Sequence, residues 1–315
     1  MTMQLDDRRR GTLLGVTAYL IWGFAALYWI QAQPVDSWDL LAHRAVWSLP
    51  VVIICLALAG NGRLAAAFAL LREPRTVAIL AASAFCGALN WGIFLWAVTH
   101  ERATEASLGY FLLPLINVIL GLGLFRESID VAQKVAIGFA VAAVLLQVVS
   151  FGGIPIVALS LALLFGSYGA IRKGVKVGSM EGLLLETLMM APFGIAWLVY
   201  RGGAGLGQHG LAVDAVLLGA GVFTAVPLMT YVAASRLLPL TALGLVFYIG
   251  PTAQLFVAVV IFREPFSVVQ LMAFALVWTG LFVWLVRLPI CPTIGHYPHS
   301  NSIAIVWRSM EERVV

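Results

Sequence analysis

Charge is what this sequence has least of. Among its 315 residues, 11% are charged and 62% hydrophobic, and the mean hydropathy is +0.98. Soluble globular chains do not reach that balance, so the chain reads as a polytopic membrane protein. Cysteine is also scarce. Cys55, Cys86 and Cys291 form no CxxC pair, and the first two sit in apolar runs where a thiol behaves as a small hydrophobe. A disulfide framework and a thiolate metal site are thereby excluded.

Motifs that would announce chemistry are missing too. No GxxxxGK[ST] loop is present to bind ATP, and there is no HExxH, no GxSxG and no pair of membrane aspartates. His43 is the one histidine within reach of an intramembrane cavity, because His100, His209, His296 and His299 fall in loops or in the tail. One histidine is too few for a metal site, so neither enzyme nor cofactor is expected. The net charge of +4 does not call for nucleic acid, since cytoplasmic loops of membrane proteins collect Lys and Arg.

What the chain has in abundance is apolar length. A helix that crosses the hydrocarbon needs about 20 mostly apolar residues with every backbone polar group paired internally. Ten such runs are legible, at 11–31, 40–60, 77–98, 104–125, 131–150, 153–171, 182–200, 212–234, 240–262 and 267–286. With the amino terminus in the cytoplasm, Arg63, Arg72, Arg75, Arg126, Lys134, Arg172, Lys173, Lys176, Arg236 and Arg287 fall on the cytoplasmic side. Only Arg102, Arg201 and Arg263 fall outside. That asymmetry places both termini in the cytoplasm of a cell with an inner, plasma-type membrane.

The fourth and ninth runs say nearly the same thing. "GYFLLPLINVILGLGLFRES" and "FYIGPTAQLFVAVVIFREP" align without a gap at an offset of 137, pairing Thr104 with Thr241, Pro114 with Pro251, Glu127 with Glu264 and Gln133 with Gln270. The chain is thus an internal duplication, with repeats at 11–150 and 153–287. Five spans per repeat is an odd number, so the second repeat enters the membrane inverted. Such architecture is typical of secondary transporters with a midplane site. Residues 1–10 form a cytoplasmic amino terminus, and 288–315, with three prolines, read as a flexible cytoplasmic tail.

The Arg-Glu pairs mark tight hairpins. "DVAQ" from Asp130 and "SVVQ" from Ser267 are capping boxes that open the fifth and tenth spans. A structural role is expected of these charges.

Ionised groups inside spans are costly and usually face a cavity or a partner. Arg44 in the second span and Glu186 in the seventh pair at an offset of 142 anchored on Pro50 and Pro192. They are symmetry equivalents of opposite charge, suited to transport or to anchoring their helices at the interfaces. Asn90, Trp91, Tyr110, Asn117, Tyr248 and Gln254 can hydrogen-bond or stack on a solute, or can join helices to one another. Pro114 and Pro251 interrupt equivalent helices and suit hinges as well as simple kinks.

"YLIWGFAALYW", "LLAHRAVWS", "LNWGIFLWAV", "EASLGYFLLPLINVILG" and "SLALLFGSYGAIRK" resemble the EamA family of the drug/metabolite transporter superfamily across about residues 11–287. The resemblance implies a permease that exports a small organic solute, either a drug such as chloramphenicol or a metabolite such as an amino acid. It implies a cavity among spans one, three, four, six, eight and nine, which adds Trp22 and Tyr168 to the candidates. Its partners are the lipid bilayer and the solute, with a proton as a possible coupling ion. Family hairpins commonly carry Gly before the Glu, where this chain has Arg126 and Arg263.

Overall fold

The computed structural model describes residues 2–100, 102–263 and 267–287. They form an all-helical bundle with ten helices or helix sets long and apolar enough to cross a membrane, as expected. In chain order these are α1 (Thr2–Trp29), α2 (Ser37–Leu58), a short α3 (Arg63–Ala69), α4 (Pro74–Thr99), α5 (Ala103–Leu124), α6 (Val131–Phe151), α7 (Ile156–Gly174), α8 (Ser179–Tyr200) and α9 (Leu211–Leu237). The ninth span is broken into α10 (Leu240–Phe247), α11 (Ile249–Phe256) and a wide turn at Val257–Ile261, and α12 (Val268–Arg287) closes the bundle. Among the described residues there is no β-strand. The expected tail lies outside the described residues, and so does Glu264.

Local chemistry sets the helix starts. The Asp36 side chain accepts the Trp38 N–H at 2.8 Å to open α2, and Pro74 occupies the first turn of α4, where its missing N–H is not needed. Both capping boxes form. Asp130 and Gln133 exchange bonds of 2.7 and 2.9 Å, and Ser267 and Gln270 exchange bonds of 3.1 and 3.2 Å. In both hairpins the arginine stands where a glycine is common. Arg126 has φ +49° and Arg263 has φ +56°, so each takes the left-handed backbone itself.

Packing follows the duplication. The pairs α2 with α8, α5 with α10, and α6 with α12 each join equivalent helices of the two repeats. The remaining large contacts come in matched couples: α1 with α9 and α4 with α7, α5 with α7 and α1 with α10–α11, α2 with α9 and α4 with α8. A two-fold relation between the repeats gives that pattern of neighbours, and the inverted repeat expected from the sequence is consistent with it. Close approach is bought with small residues, since lipid offers no hydrophobic drive between helices. A Cβ on Gly221 of α9 would collide with the Trp47 carbonyl of α2.

Candidate functional site

A cavity of about 560 Å³ lies between the two repeats, the size of a small-molecule site. Its wall runs from Ser37, Ala106 and Phe262, at one end of the bundle, down to Tyr19, Leu113, Leu228 and Phe247 near mid-bundle. The helices α1, α2, α4, α5, α7, α9 and the ninth span all contribute. The second span lines it along with the six spans that the sequence reading named.

Below the cavity a layer of aromatic side chains narrows the bundle. Tyr19 packs against Phe247 and Tyr231 at ring distances of 5.1 and 6.2 Å, and Phe165 meets Tyr231 at 5.3 Å. Tyr231 in turn stacks on Tyr168 at 6.3 Å. Further toward the amino-terminal end, polar groups tie the repeats together. Glu127, in the hairpin after α5, accepts the backbone N–H groups of Leu240 and Thr241 at 2.7 and 2.9 Å, capping α10 in the other repeat. Lys173 lies 3.7 Å from that carboxylate and donates to the carbonyls of Ser235 and Leu238.

The sequence candidates divide into three groups. Trp22, Arg44, Asn90, Trp91, Tyr110, Pro251 and Gln254 line the cavity. Arg44 donates from Nε to the Thr224 hydroxyl at 3.1 Å, and its guanidinium lies 4.7 Å from the Trp91 ring centre and 5.1 Å from that of Trp29. A cation at the centre of a membrane helix costs roughly 2.5–3.5 kcal/mol, and two indole faces offset part of that at about 0.5–2 kcal/mol each. Asn90 donates to the Leu161 carbonyl at 2.9 Å, and Gln254 donates to that of Trp22 at 3.4 Å.

Glu186 and Tyr168 border a separate, smaller void that shares Trp91, Phe165 and Thr224 with the main wall. Glu186 does not meet Arg44. It pairs instead with Arg172, whose Nε is 3.4 Å from Oε1, while Tyr168 donates to Oε2 at 3.3 Å and the Ser83 hydroxyl donates to Oε1. Arg172 was expected among the cytoplasmic charges, yet its side chain is completely buried. The cause is local: Gly182 leaves room for the guanidinium, and the carbonyls of Gly178 and Ser179 accept its Nη2 at 3.3 and 3.0 Å. Nothing in a basic residue near a helix end distinguishes this burial in the sequence.

Three candidates stand away from both spaces. Asn117 is buried between α5, α7 and α10, close to where Gly166 and Gly244 leave room. Tyr248 is buried with its hydroxyl 3.3 Å from the Phe111 carbonyl. Pro114 packs on Gly244, where a Cβ would come within 2.9 Å of the Pro114 oxygen. His43 also turns away from the cavity. It accepts from the Trp47 indole at Nδ1 and bonds the Ala204 carbonyl through Nε2 at 3.0 Å, fastening the loop after α8. Beside it, Arg201 forms a fork on Asp39 with contacts of 3.1 and 3.2 Å, which holds Arg201 above its ordinary pKa. Among the described residues, no cluster of His, Cys, Asp and Glu could hold a metal ion.

A ten-span bundle with a solute-sized space between two matched halves defines a membrane carrier. The sequence pattern of the EamA-like transporter family matches residues 9–149. The chain is 35% identical over 286 residues to Protein RarD of Salmonella typhi, covering 90% of this chain and 97% of that protein. It is 31% identical over 277 residues to the chloramphenicol-sensitive protein RarD of Pseudomonas aeruginosa, covering 87% and 93%. A solved crystal structure of a protein superposes with a TM-score of 0.68 at 21% identity, covering 90% of this chain and all of that one, which concerns the fold alone. The chain belongs to the EamA family of the drug/metabolite transporter superfamily. It is a multi-pass inner-membrane transporter of the RarD type.

Proposed function

We propose that the protein exports a small organic solute by alternating access, with the 560 Å³ cavity as the binding site. The observation that carries this reading is the unequal sealing of that cavity. Its wall reaches the helix ends on one side, whereas on the other it stops at packed tyrosines backed by the Glu127 cap. With both termini in the cytoplasm, the sealed end is the cytoplasmic one. Rocking one repeat against the other would release that seal and close the opposite end.

In this reading Trp22, Arg44, Asn90, Trp91, Tyr110 and Gln254 contact the solute, and Pro251 frees the wall of the ninth span to bend. Glu186 exchanges a proton from its buried pocket, with Tyr168 as its hydrogen-bond partner. A drug of the chloramphenicol kind and a metabolite both fit the volume. The test is accumulation of labelled chloramphenicol and a panel of amino acids and organic acids in cells producing the protein or an empty vector. Lower accumulation of at least one compound supports export; higher accumulation reverses the direction. Equal accumulation of every compound would count against export.

A further inference from the structure

The cavity wall is electrically one-sided. Among the described residues Arg44 is its single charged lining residue, and none of them that lines it is an aspartate or glutamate. Arg44 is also under-satisfied: a guanidinium carries five N–H donors, and among the described residues only the Thr224 hydroxyl accepts from it, at Nε. Trp29 and Trp91 meet the cation through their rings, which stabilises charge but accepts no directed N–H bond. No carboxylate among the described residues pairs with it, whereas three other charges inside the bundle have ion-pair partners. Arg172 has Glu186, Lys173 has Glu127, and Asp39 has Arg201. Its guanidinium has the planar fork geometry that takes two oxygens of a carboxylate.

The rest of the wall defines what the oxyanion is attached to. Tyr19, Trp22, Trp91, Tyr110, Phe165 and Phe247 supply flat apolar faces around the middle of the space. Asn90 and Gln254 spend an amide N–H on neighbouring backbone and keep carbonyl oxygens as acceptors. A ring stacks there at little conformational cost, while an ammonium finds π faces and carbonyls but no counter-ion.

We infer that the cargo is an organic anion, a carboxylate joined to an aromatic or similarly flat apolar body, and that Arg44 sets this charge selectivity by binding the carboxylate. The inference rests on the cavity being the transport site. Chloramphenicol, which carries no ionised group at neutral pH, then belongs to the weaker binders.

The experiment uses the full chain in lipid nanodiscs at pH 7 and reads quenching of intrinsic tryptophan fluorescence, since Trp22, Trp29 and Trp91 line the space. The probes are 3-phenylpropionate, its amide and 3-phenylpropylamine, alike in shape and different in charge. The acid is expected to bind on the order of tenfold more tightly than the amide, the scale of one charge-assisted hydrogen bond, with the amine weakest. Arg44→Gln should abolish the difference between acid and amide. Arg44→Lys, which keeps the charge and loses the fork, should retain part of it and shows that the site still folds. Equal or tighter binding of the amide or amine, an acid preference that survives in Arg44→Gln, or no binding of any probe at millimolar concentration overturns the inference. Counterflow in proteoliposomes separates the two readings: acid-selective binding without flux sinks the transport site alone, and flux that favours the amine sinks the charge selectivity alone.

Discussion

Arg172 of α7 and Glu186 of α8 form an ion pair with both side chains shut away from solvent, at a Nε–Oε1 distance of 3.4 Å. Breaking such a pair leaves one charge alone in a medium that cannot solvate it, which costs about 3–5 kcal/mol. Arg172→Met should therefore lower the melting temperature of the detergent-purified protein sharply. Arg172→Met combined with Glu186→Leu should recover much of that loss, because neither charge remains. A double variant as unstable as the single one would show that the pair is not the unit that matters.

Glu186→Gln is the separate test of coupling. It keeps the shape and one acceptor oxygen for Ser83 or Tyr168, while it removes the exchangeable proton and the charge that pairs with Arg172. Solute flux in proteoliposomes should lose its response to an imposed pH gradient and persist without one. Flux that still follows the gradient removes Glu186 from the coupling mechanism.

The Glu127 carboxylate holds the start of α10 across the repeat boundary, 2.7 Å from the Leu240 nitrogen. Glu127→Ala should loosen that end. In a variant lacking the native cysteines, Thr241→Cys, buried at present, should react severalfold faster with a membrane-impermeant maleimide added to the side that carries the Glu127 hairpin once Glu127 is removed. Unchanged labelling would mean that the aromatic packing alone keeps this end shut.

Gly221 packs on the backbone of α2, where no rotamer change can make room for a methyl group. Gly221→Ala should destabilise the bundle by about 1–3 kcal/mol as an overpacked contact. Gly138 in α6 has nothing within 4 Å of its absent Cβ, so Gly138→Ala should leave the melting temperature unchanged or raise it. Comparable losses in both variants would point to lipid packing rather than helix contact.

Arg126 bears a left-handed backbone, at φ +49°, that glycine adopts without steric cost. Arg126→Gly should raise or maintain stability, as read by the melting temperature. A clear loss would assign the arginine side chain a role beyond the turn.

Much of the fold was written in the sequence because membrane insertion imposes a local rule. Twenty apolar residues in a row have one stable form in lipid, so all ten spans could be counted without knowing where any helix packs. The capping boxes at Asp130 and Ser267 were legible for the same reason, since donor and acceptor lie three residues apart. Even the cavity was partly foreseeable: Trp22, Arg44, Asn90, Trp91, Tyr110 and Gln254 all line it.

What the sequence alone did not decide is which polar group meets which. Arg44 and Glu186 are equivalent by position and opposite in charge, yet they settle into different environments. Arg44 meets two indoles and Thr224, while Glu186 meets an arginine that sequence places among the loop charges. Glu127 reads as an ordinary interfacial acid until α10 is brought against it. These choices depend on helices far apart in the chain, on the room that Gly182 leaves, and on how the repeats face each other. Hydropathy is a property of each segment and fixes the spans; pairing is a property of the assembled bundle, and only the tertiary structure sets it.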